Sequence, residues 1–417
     1  MKPSHHCSFL QTCLSILVIL FICGCQSQES GPKPITKAHK LPDQPAPKED
    51  ESVVTTPQEA LDALEKEEKT EKAPESPDDE MEDEIERAQL PATDAKLTRI
   101  AVGSCNRPTL PQPLWEVIQG MAPDLWIWMG DNVYADTEDP EEMKETYEAQ
   151  LANPSYRDFI SRIPVIGTWD DHDFGANDSG KDYPMREMSQ QMALDFLGEA
   201  KTSPRRRQEG IYTSYTFGPE GKRVKIILLD TRYHREEKGP ESDVLGEMQW
   251  SWLGNELKKS KADVHLLISS IQLLQPVPSK RMERWINFPS ARLRLMTMIR
   301  EFRPANLVVL SGDRHFSEIS RAGLKSAPYR LATDGETHEA KMVKNQTEPT
   351  LYELTASGLT HTWENFPGEE NPLRIHGPYT GIHFGLLELD WGKDRITLKT
   401  INEDGKAVLS QRISFDR

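Results

Sequence analysis

Apolar and polar positions change rhythm along the chain and divide it into three. Residues 1–25 contain one nearly unbroken apolar run, from Cys13 to Cys23. From 26 to 96 apolar residues are sparse and keep no sustained period. Beyond this, short apolar runs ("RIAVG", "LWIWM", "VIGTW", "VKIILL", "HLLISSI", "NLVVL") alternate with stretches of helical spacing ("PLWEVIQGM", "EEMKETYEAQLA", "GEMQWSWLGNELKKS", "ARLRLMTMIREF"). The first kind has the length and composition of buried strands, the second that of amphipathic helices. A mainly β tail follows, with "LYELTASG", "HFGLLELDW" and "ITLKTIN". The order predicts a layered α/β domain over 97–417 whose strands are covered by helices.

The two leading segments read differently. Lys2 and two histidines precede an apolar run too short for a membrane span but of the size of a signal-peptide core. It ends in "ICGC", which resembles the lipobox of bacterial lipoproteins, with Cys25 as the residue to be acylated. That reading makes 1–25 a lipoprotein-type signal peptide and the chain an exported protein, anchored to a membrane at the cell surface or in the periplasm by N-terminal lipid. Segment 26–96 is rich in Pro, Glu, Lys, Ser and Asp and has no aromatic residue. It cannot bury enough apolar surface to offset the entropy of ordering, so it reads as a disordered acidic tether.

Charge and cysteine usage narrow the picture. A formal charge of -17 argues against a stable nucleic-acid partner. Of five cysteines, Cys7, Cys13, Cys23 and Cys25 lie in the leader. Cys105 is then a lone thiol in an exported domain, where cysteines are normally paired or avoided. It needs a reason.

The reason lies at the ends of the apolar runs. They finish in Gly103-Ser104-Cys105, Gly130-Asp131-Asn132, Asp170-Asp171-His172-Asp173, Asp230-Thr231-Arg232 and Gly312-Asp313-Arg314-His315. Loops after the carboxyl ends of strands converge on one edge of an α/β sheet, where ligands bind. Collected there, Cys105, Asp131, Tyr134, Asp171, His172, Asp313 and His315, with Asn132 and Asn177 nearby, form a donor set for two adjacent cations. Crowded carboxylates repel one another unless positive charge lies between them. Asp131, after a glycine, suits a carboxylate bridging two metals. A phenolate from Tyr134 or a thiolate from Cys105 needs a strongly Lewis-acidic partner, which ferric iron fits better than magnesium.

"GSC", "GDNVYAD" (130–136), "WDDHD" (169–173), "LDTR" (229–232) and "SGDRH" (311–315) occur in the order and approximate spacing of the PhoD-like alkaline phosphatases, within the calcineurin-like metallophosphoesterases. The resemblance covers most of 98–390. It implies the metallophosphoesterase four-layer sandwich, two mixed β-sheets flanked by helices. It also implies hydrolysis of phosphate mono- or diesters, with in-line attack by a hydroxide held between two metals. Carried over by position, Cys105, Asp131, Tyr134 and His315 would hold Fe(3+). Asp131, Asp171, Asp313 and the weaker candidate Asn177 would hold a divalent cation, which Asp171 in place of the superfamily's usual Asn favours as Ca(2+). His172 would assist the leaving oxygen, and Arg232 and Arg314 would clamp the phosphate. Gln272 stands where many superfamily members have a metal-binding histidine.

Two further functions compete: a phosphodiesterase for nucleic-acid or phospholipid fragments, and a non-catalytic surface lipoprotein. Several residues read as structural instead. Asp170 and Asp173 suit a helix cap, His265 a satisfied core histidine, "MQWSWL" core packing, and "PRRRQ" (204–208) a solvated turn. His361 and His383 carry little weight as site residues.

Overall fold

A computed structural model describes residues 85–324 and 350–415. The signal-peptide and acylation readings and most of the tether, 26–84, lie outside the described residues. In chain order the elements begin with β1 (Arg99–Gly103), α1 (Leu114–Gly120), β2 (Leu125–Met129), α2 (Pro140–Ala152), α3 (Pro154–Arg162), β3 (Val165–Thr168), α4 (Asp171–Phe174) and α5 (Arg186–Phe196). The second half holds β4 (Thr213–Phe217), β5 (Val224–Leu228), α6 (Gly246–Lys258), β6 (Val264–Ile268), α7 (Pro289–Phe302) and β7 (Leu307–Ser311). It continues with β8 (Ser317–Gly323), β9 (Thr350–Ala356), β10 (Arg374–Tyr379), β11 (His383–Asp390), β12 (Arg395–Asn402) and β13 (Ala407–Ser414).

These strands make two mixed sheets, ordered β13-β12-β11-β1-β2-β3 and β10-β8-β9-β7-β6-β5-β4. The parallel centres, β1-β2-β3 and β5-β6-β7, are the runs that follow one another through helical crossovers. Side chains alternate between faces along each strand. Ile100, Val102, Ile127 and Met129 from the first sheet share one core with Ile226, Leu228, Leu266, Ile268, Val308 and Leu310 from the second. The intervening residues face outward onto helices. Trp126 and Trp128 pack with Trp115 of α1 and with Tyr156 and Phe159 of α3. Ile227, Leu267 and Val309 pack with Trp250 of α6 and with Leu295 and Ile299 of α7. The result is the expected sandwich of two sheets between helical layers.

Local signals explain the helix starts. Asp139 and Asn153 accept hydrogen bonds from the amides of Glu141 and Tyr156, each just ahead of a proline at the first helical position. His265 is a satisfied core histidine, with Nδ1 2.7 Å from the Ala305 carbonyl and Nε2 2.7 Å from Ser260 Oγ. Trp250 is buried against Trp285, as a packing residue should be.

Two expectations change. "PRRRQ" is not a solvated turn: Arg205 is buried and donates to the carbonyls of Gly167 (2.7 Å) and Ile211 (2.5 Å), and Arg206 donates to Asp195 (2.8 Å). Three charges in a row look exposed, but two of them tie loop carbonyls that would otherwise be buried without donors. The tether was read as running to residue 96, yet 85–96 lies along the domain. The Ala88 amide donates to the Ile160 carbonyl (2.8 Å), and the Thr93 carbonyl accepts from Gly218 (2.9 Å). Main-chain bonds hold this piece, so its polar composition did not reveal it.

Candidate metal centre

The loops after β1, β2, β3 and β7 converge, and the backbone bends to make them do so. Cys105, Asp131, Asp313 and His315 take φ values of 61°, 49°, 66° and 54°. Such left-handed backbone is uncommon outside glycine and gathers at functional sites. Gly130, at φ 101°, packs so closely that a Cβ there would lie 2.5 Å from Asp170 Cβ, which explains the glycine before Asp131.

One half of the centre forms around Asp131. Cys105 Sγ and the Tyr134 hydroxyl each lie 3.3 Å from Asp131 Oδ2. The Tyr134 ring stacks on His172 at 4.2 Å and lies 6.5 Å from the His315 ring. Asp173, in the next loop, receives the amides of Asp170 (2.6 Å), Asn132 (3.1 Å) and Asp131 (3.2 Å) and so locks two loops together. The cap reading of Asp173 therefore describes what it does.

The other half forms around Asp171. Donor atoms of Asp131, Asp171 and His172 lie within 4.8 Å of one another, as do those of Asp170, Asp171 and Asp313. Asp171 is common to both groups, whereas the sequence pointed to Asp131 as the bridge. Asp170, read only as a cap, joins the second group. It stands at the cap position of the one-turn α4, immediately before Asp171 at the first helical position.

Arg232 and Arg314 do not present a phosphate clamp. Both are fully buried. The Arg232 guanidinium grips Asp170 and Glu283 and lies 3.9 Å from Asp171. Arg314 donates to Glu369 (2.8 Å) and lies 3.9 Å from Asp313. They back the carboxylates from inside the protein, because Glu283 and Glu369, remote in sequence, supply their partners. Asn177 is exposed in the turn after α4, and no hydrogen bond among the described residues joins it to the cluster. The neighbouring amide of Asp178 donates to Asp171 Oδ2 instead (2.7 Å). Gln272 is turned away into a polar network with Glu318 (2.7 Å) and Thr355 (3.0 Å).

The donors fit cations. Asp131 Oδ1, Asp170 Oδ2, Asp171 Oδ1, Asp313 Oδ2, His315 Nδ1 and His361 Nε2 are all buried without a hydrogen-bond partner. Leaving such acceptors unsatisfied is costly, and a cation satisfies several at once. Titration tells the same story. Burial, then repulsion from Cys105 and Asp171, pushes the Asp131 carboxyl well above the usual range. Burial pushes the Cys105 thiol up to about 11 and Asp313 up to about 6, and pulls the His315 ring down to about 4. Positive charge is what the surroundings of Asp131 and Cys105 lack.

Of two further residues beside the centre, His361 was given little weight by the sequence reading and Arg107 escaped it. His361 has its ring 4.6 Å from His315 and 5.0 Å from Tyr134. It arrives on the loop after β9, where the amide of Thr360 donates to the Cys105 carbonyl (3.3 Å) and that of Trp363 to the His315 carbonyl (2.8 Å). "LTASGLTH" shows the same apolar run, glycine and polar tail as the other loops, and that was its available signal. Arg107 is exposed, with its guanidinium 4.6 Å over the Tyr134 ring. His172 is half-buried, with Nδ1 2.6 Å from Asp136. Burial opposes its charged form, but Asp136 and Asp171 outweigh burial and raise its pKa.

Two sandwiched mixed sheets with acidic strand-end loops on one edge define a metallophosphoesterase-like fold. The chain belongs to the PhoD-like phosphatase family, whose family model matches residues 100–365. It is 26% identical over 290 residues to alkaline phosphatase D of Bacillus subtilis (strain 168), a match covering 61% of this chain and 47% of that protein. The chain thus spans about half the length of the curated relative it matches. Among solved structures, that titled "Structure of PhoD" superposes with a TM-score of 0.59 at 17% identity, covering 78% of this chain and 70% of that one.

Proposed function

We propose that the protein is an exported, metal-dependent phosphoesterase acting on phosphate mono- or diesters. The observation that carries this reading is the set of buried, unpartnered acceptors at the strand ends in a chain of this family. Cys105, Asp131, Tyr134 and His315 would hold Fe(3+), and Asp171 and Asp313, joined by Asp170, would hold Ca(2+). Bound cations supply the Lewis acidity that makes water a competent nucleophile near neutral pH.

The chain's own groups do the rest. Asp136 fixes Nδ1 of His172, which leaves Nε2 to hold the proton for the departing oxygen. One water is consumed, the bond from phosphorus to the alcohol oxygen breaks, and the alcohol leaves with a proton. Arg107 is the exposed cation beside the centre and takes the phosphoryl contact once assigned to Arg232 and Arg314. The latter two orient carboxylates.

The test uses the full-length chain, stripped with chelator and reloaded with iron and calcium, on p-nitrophenyl phosphate and its bis-ester. Turnover should return on reloading, and Asp131→Asn should lower it at least about a hundredfold. The ratio of the two rates separates monoesterase from diesterase. Failure to cleave either ester with both metals bound by elemental analysis would leave the binding lipoprotein as the better reading. No helix among the described residues is long and apolar enough to cross a membrane. Anchoring through lipid on Cys25 is proposed from the lipobox-like "ICGC", and Cys25→Ser should abolish incorporation of labelled palmitate.

A further inference from the structure

A second cavity, of about 340 Å³, opens beside the centre and shares Tyr134 and Asp136 with it. Arg107, Glu142, Glu145 and Thr146 complete the walls that matter here. Its position is informative. Asp136 is the residue that holds His172, so the cavity adjoins the group assigned to the departing oxygen. The alcohol portion of a substrate whose phosphorus lies at the metals would extend into it. Its volume sits at the small end of the range for ligand pockets, suited to a compact alcohol.

The charge of the walls selects among compact alcohols. Three carboxylates face one guanidinium, and that guanidinium lies against the Tyr134 ring. Asp136 is engaged with His172, and Glu142 accepts a hydrogen bond from Thr137 (2.6 Å). Glu145, exposed on α2, has no hydrogen bond or ion pair among the described residues. An anionic alcohol entering here meets repulsion, while a cationic one meets a carboxylate that no Lys or Arg among the described residues pairs with. We propose that this cavity is the leaving-group subsite and that it selects phosphate esters of small cationic alcohols, such as amino or quaternary-ammonium alcohols. The proposal rests on the esterase reading for its catalytic consequence, but the cavity's preference for a cation does not.

The experiment compares two esters of nearly the same shape, 2-(trimethylammonio)ethyl phosphate and 3,3-dimethylbutyl phosphate, on the metal-loaded full-length protein. They differ in a nitrogen cation against a neutral carbon. At low salt kcat/KM for the cationic ester should exceed that for the neutral one by about tenfold, shrinking as salt screens the walls. Glu145→Gln should cut that ratio by about threefold, and Glu142→Gln with Glu145→Gln should bring it near one. Glu148→Gln, on the same helix but paired with Lys144 at 3.6 Å outside the cavity, serves as the control and should leave the ratio alone. In parallel, calorimetric titration with the free alcohols, choline and 3,3-dimethylbutan-1-ol, reads the cavity without turnover. Equal or reversed preference in both arms, or a preference that survives the double substitution, overturns the proposal. Glu145-dependent binding of choline with no ester cleaved would overturn the esterase reading and leave the cation subsite standing. Neither cleavage nor any choline preference would overturn both.

Discussion

The two halves of the centre hold similar carboxylates in opposite settings. Around Asp131 stand a thiol, a phenol and the His172 imidazole, and no Lys or Arg among the described residues hydrogen bonds to Cys105, Asp131 or Tyr134. Around Asp171 and Asp313 the protein supplies its own positive charge, Arg232 and Arg314, each pinned by a second carboxylate behind it. The titration differs accordingly. Asp131 is pushed well up by burial and by neighbours that all repel its charge. Burial also raises Asp171, but Arg232, His172 and the Asp178 amide more than offset it, and its pKa falls below the usual value. Asp171 is thus held ionised by the protein's own groups, whereas its neighbours Asp313, pushed up to about 6, and Asp170, pushed well above the usual range, share with Asp131 the need for a bound cation.

That contrast can be broken at its strongest point by Arg232→Met. The substitution leaves Asp170 buried without its counter-ion, while Glu283 keeps Arg235, and should destabilise the metal-free protein by about 3–5 kcal/mol in urea denaturation. A loss below about 1 kcal/mol, the scale of an exposed pair, would mean that the arginine backing is not structural. Cys105→Ser sharpens the division: iron retained after dialysis should fall about tenfold while calcium is kept, and Asp313→Asn should do the reverse. If either variant loses both metals together, the halves are one site.

The smallest effect lies outside both halves. Burial holds the His265 ring below its ordinary value of 6.5, so the folded state keeps it neutral. The His265 contribution is therefore complete above pH 6.5 and declines as pH falls through that value, because the unfolded chain binds the proton that the folded one refuses. The slope is at most about 1.4 kcal/mol per pH unit, and His265→Gln should flatten it in urea midpoints measured at acid and neutral pH. An unchanged slope would assign the acid sensitivity to the other buried histidines, His315, His361 and His383, whose rings burial also holds below the ordinary value.

Legibility in the sequence followed physical range. Alternation along β2 was readable because Trp126 and Trp128 fall on one face and Ile127 and Met129 on the other. β8 was not, since "SEISRAG" buries Ser317, Glu318 and Ser320 in a polar network rather than among apolar side chains. Among the candidate donors, Cys105, Asp131, Tyr134, Asp171, His172, Asp313 and His315 were singled out from loops that follow apolar runs, and the structure brings those loops to one edge. Asn177 was misplaced because neighbourhood along the chain is not direction in space. At that turn the Asp178 amide points at the cluster instead.

The sequence by itself determined the period of the strands, their alternation with helices and the chemical kinds of side chain at the strand ends, all of which depend on neighbours a few positions apart. Only the tertiary structure decided which candidate donors lie together, that Asp171 rather than Asp131 is common to both groups, and that the His361 ring stands beside His315. It alone turned two arginines from substrate contacts into internal counter-ions. Their partners Glu283 and Glu369 come from distant loops, and an arginine's role is set by the carboxylate it meets on folding.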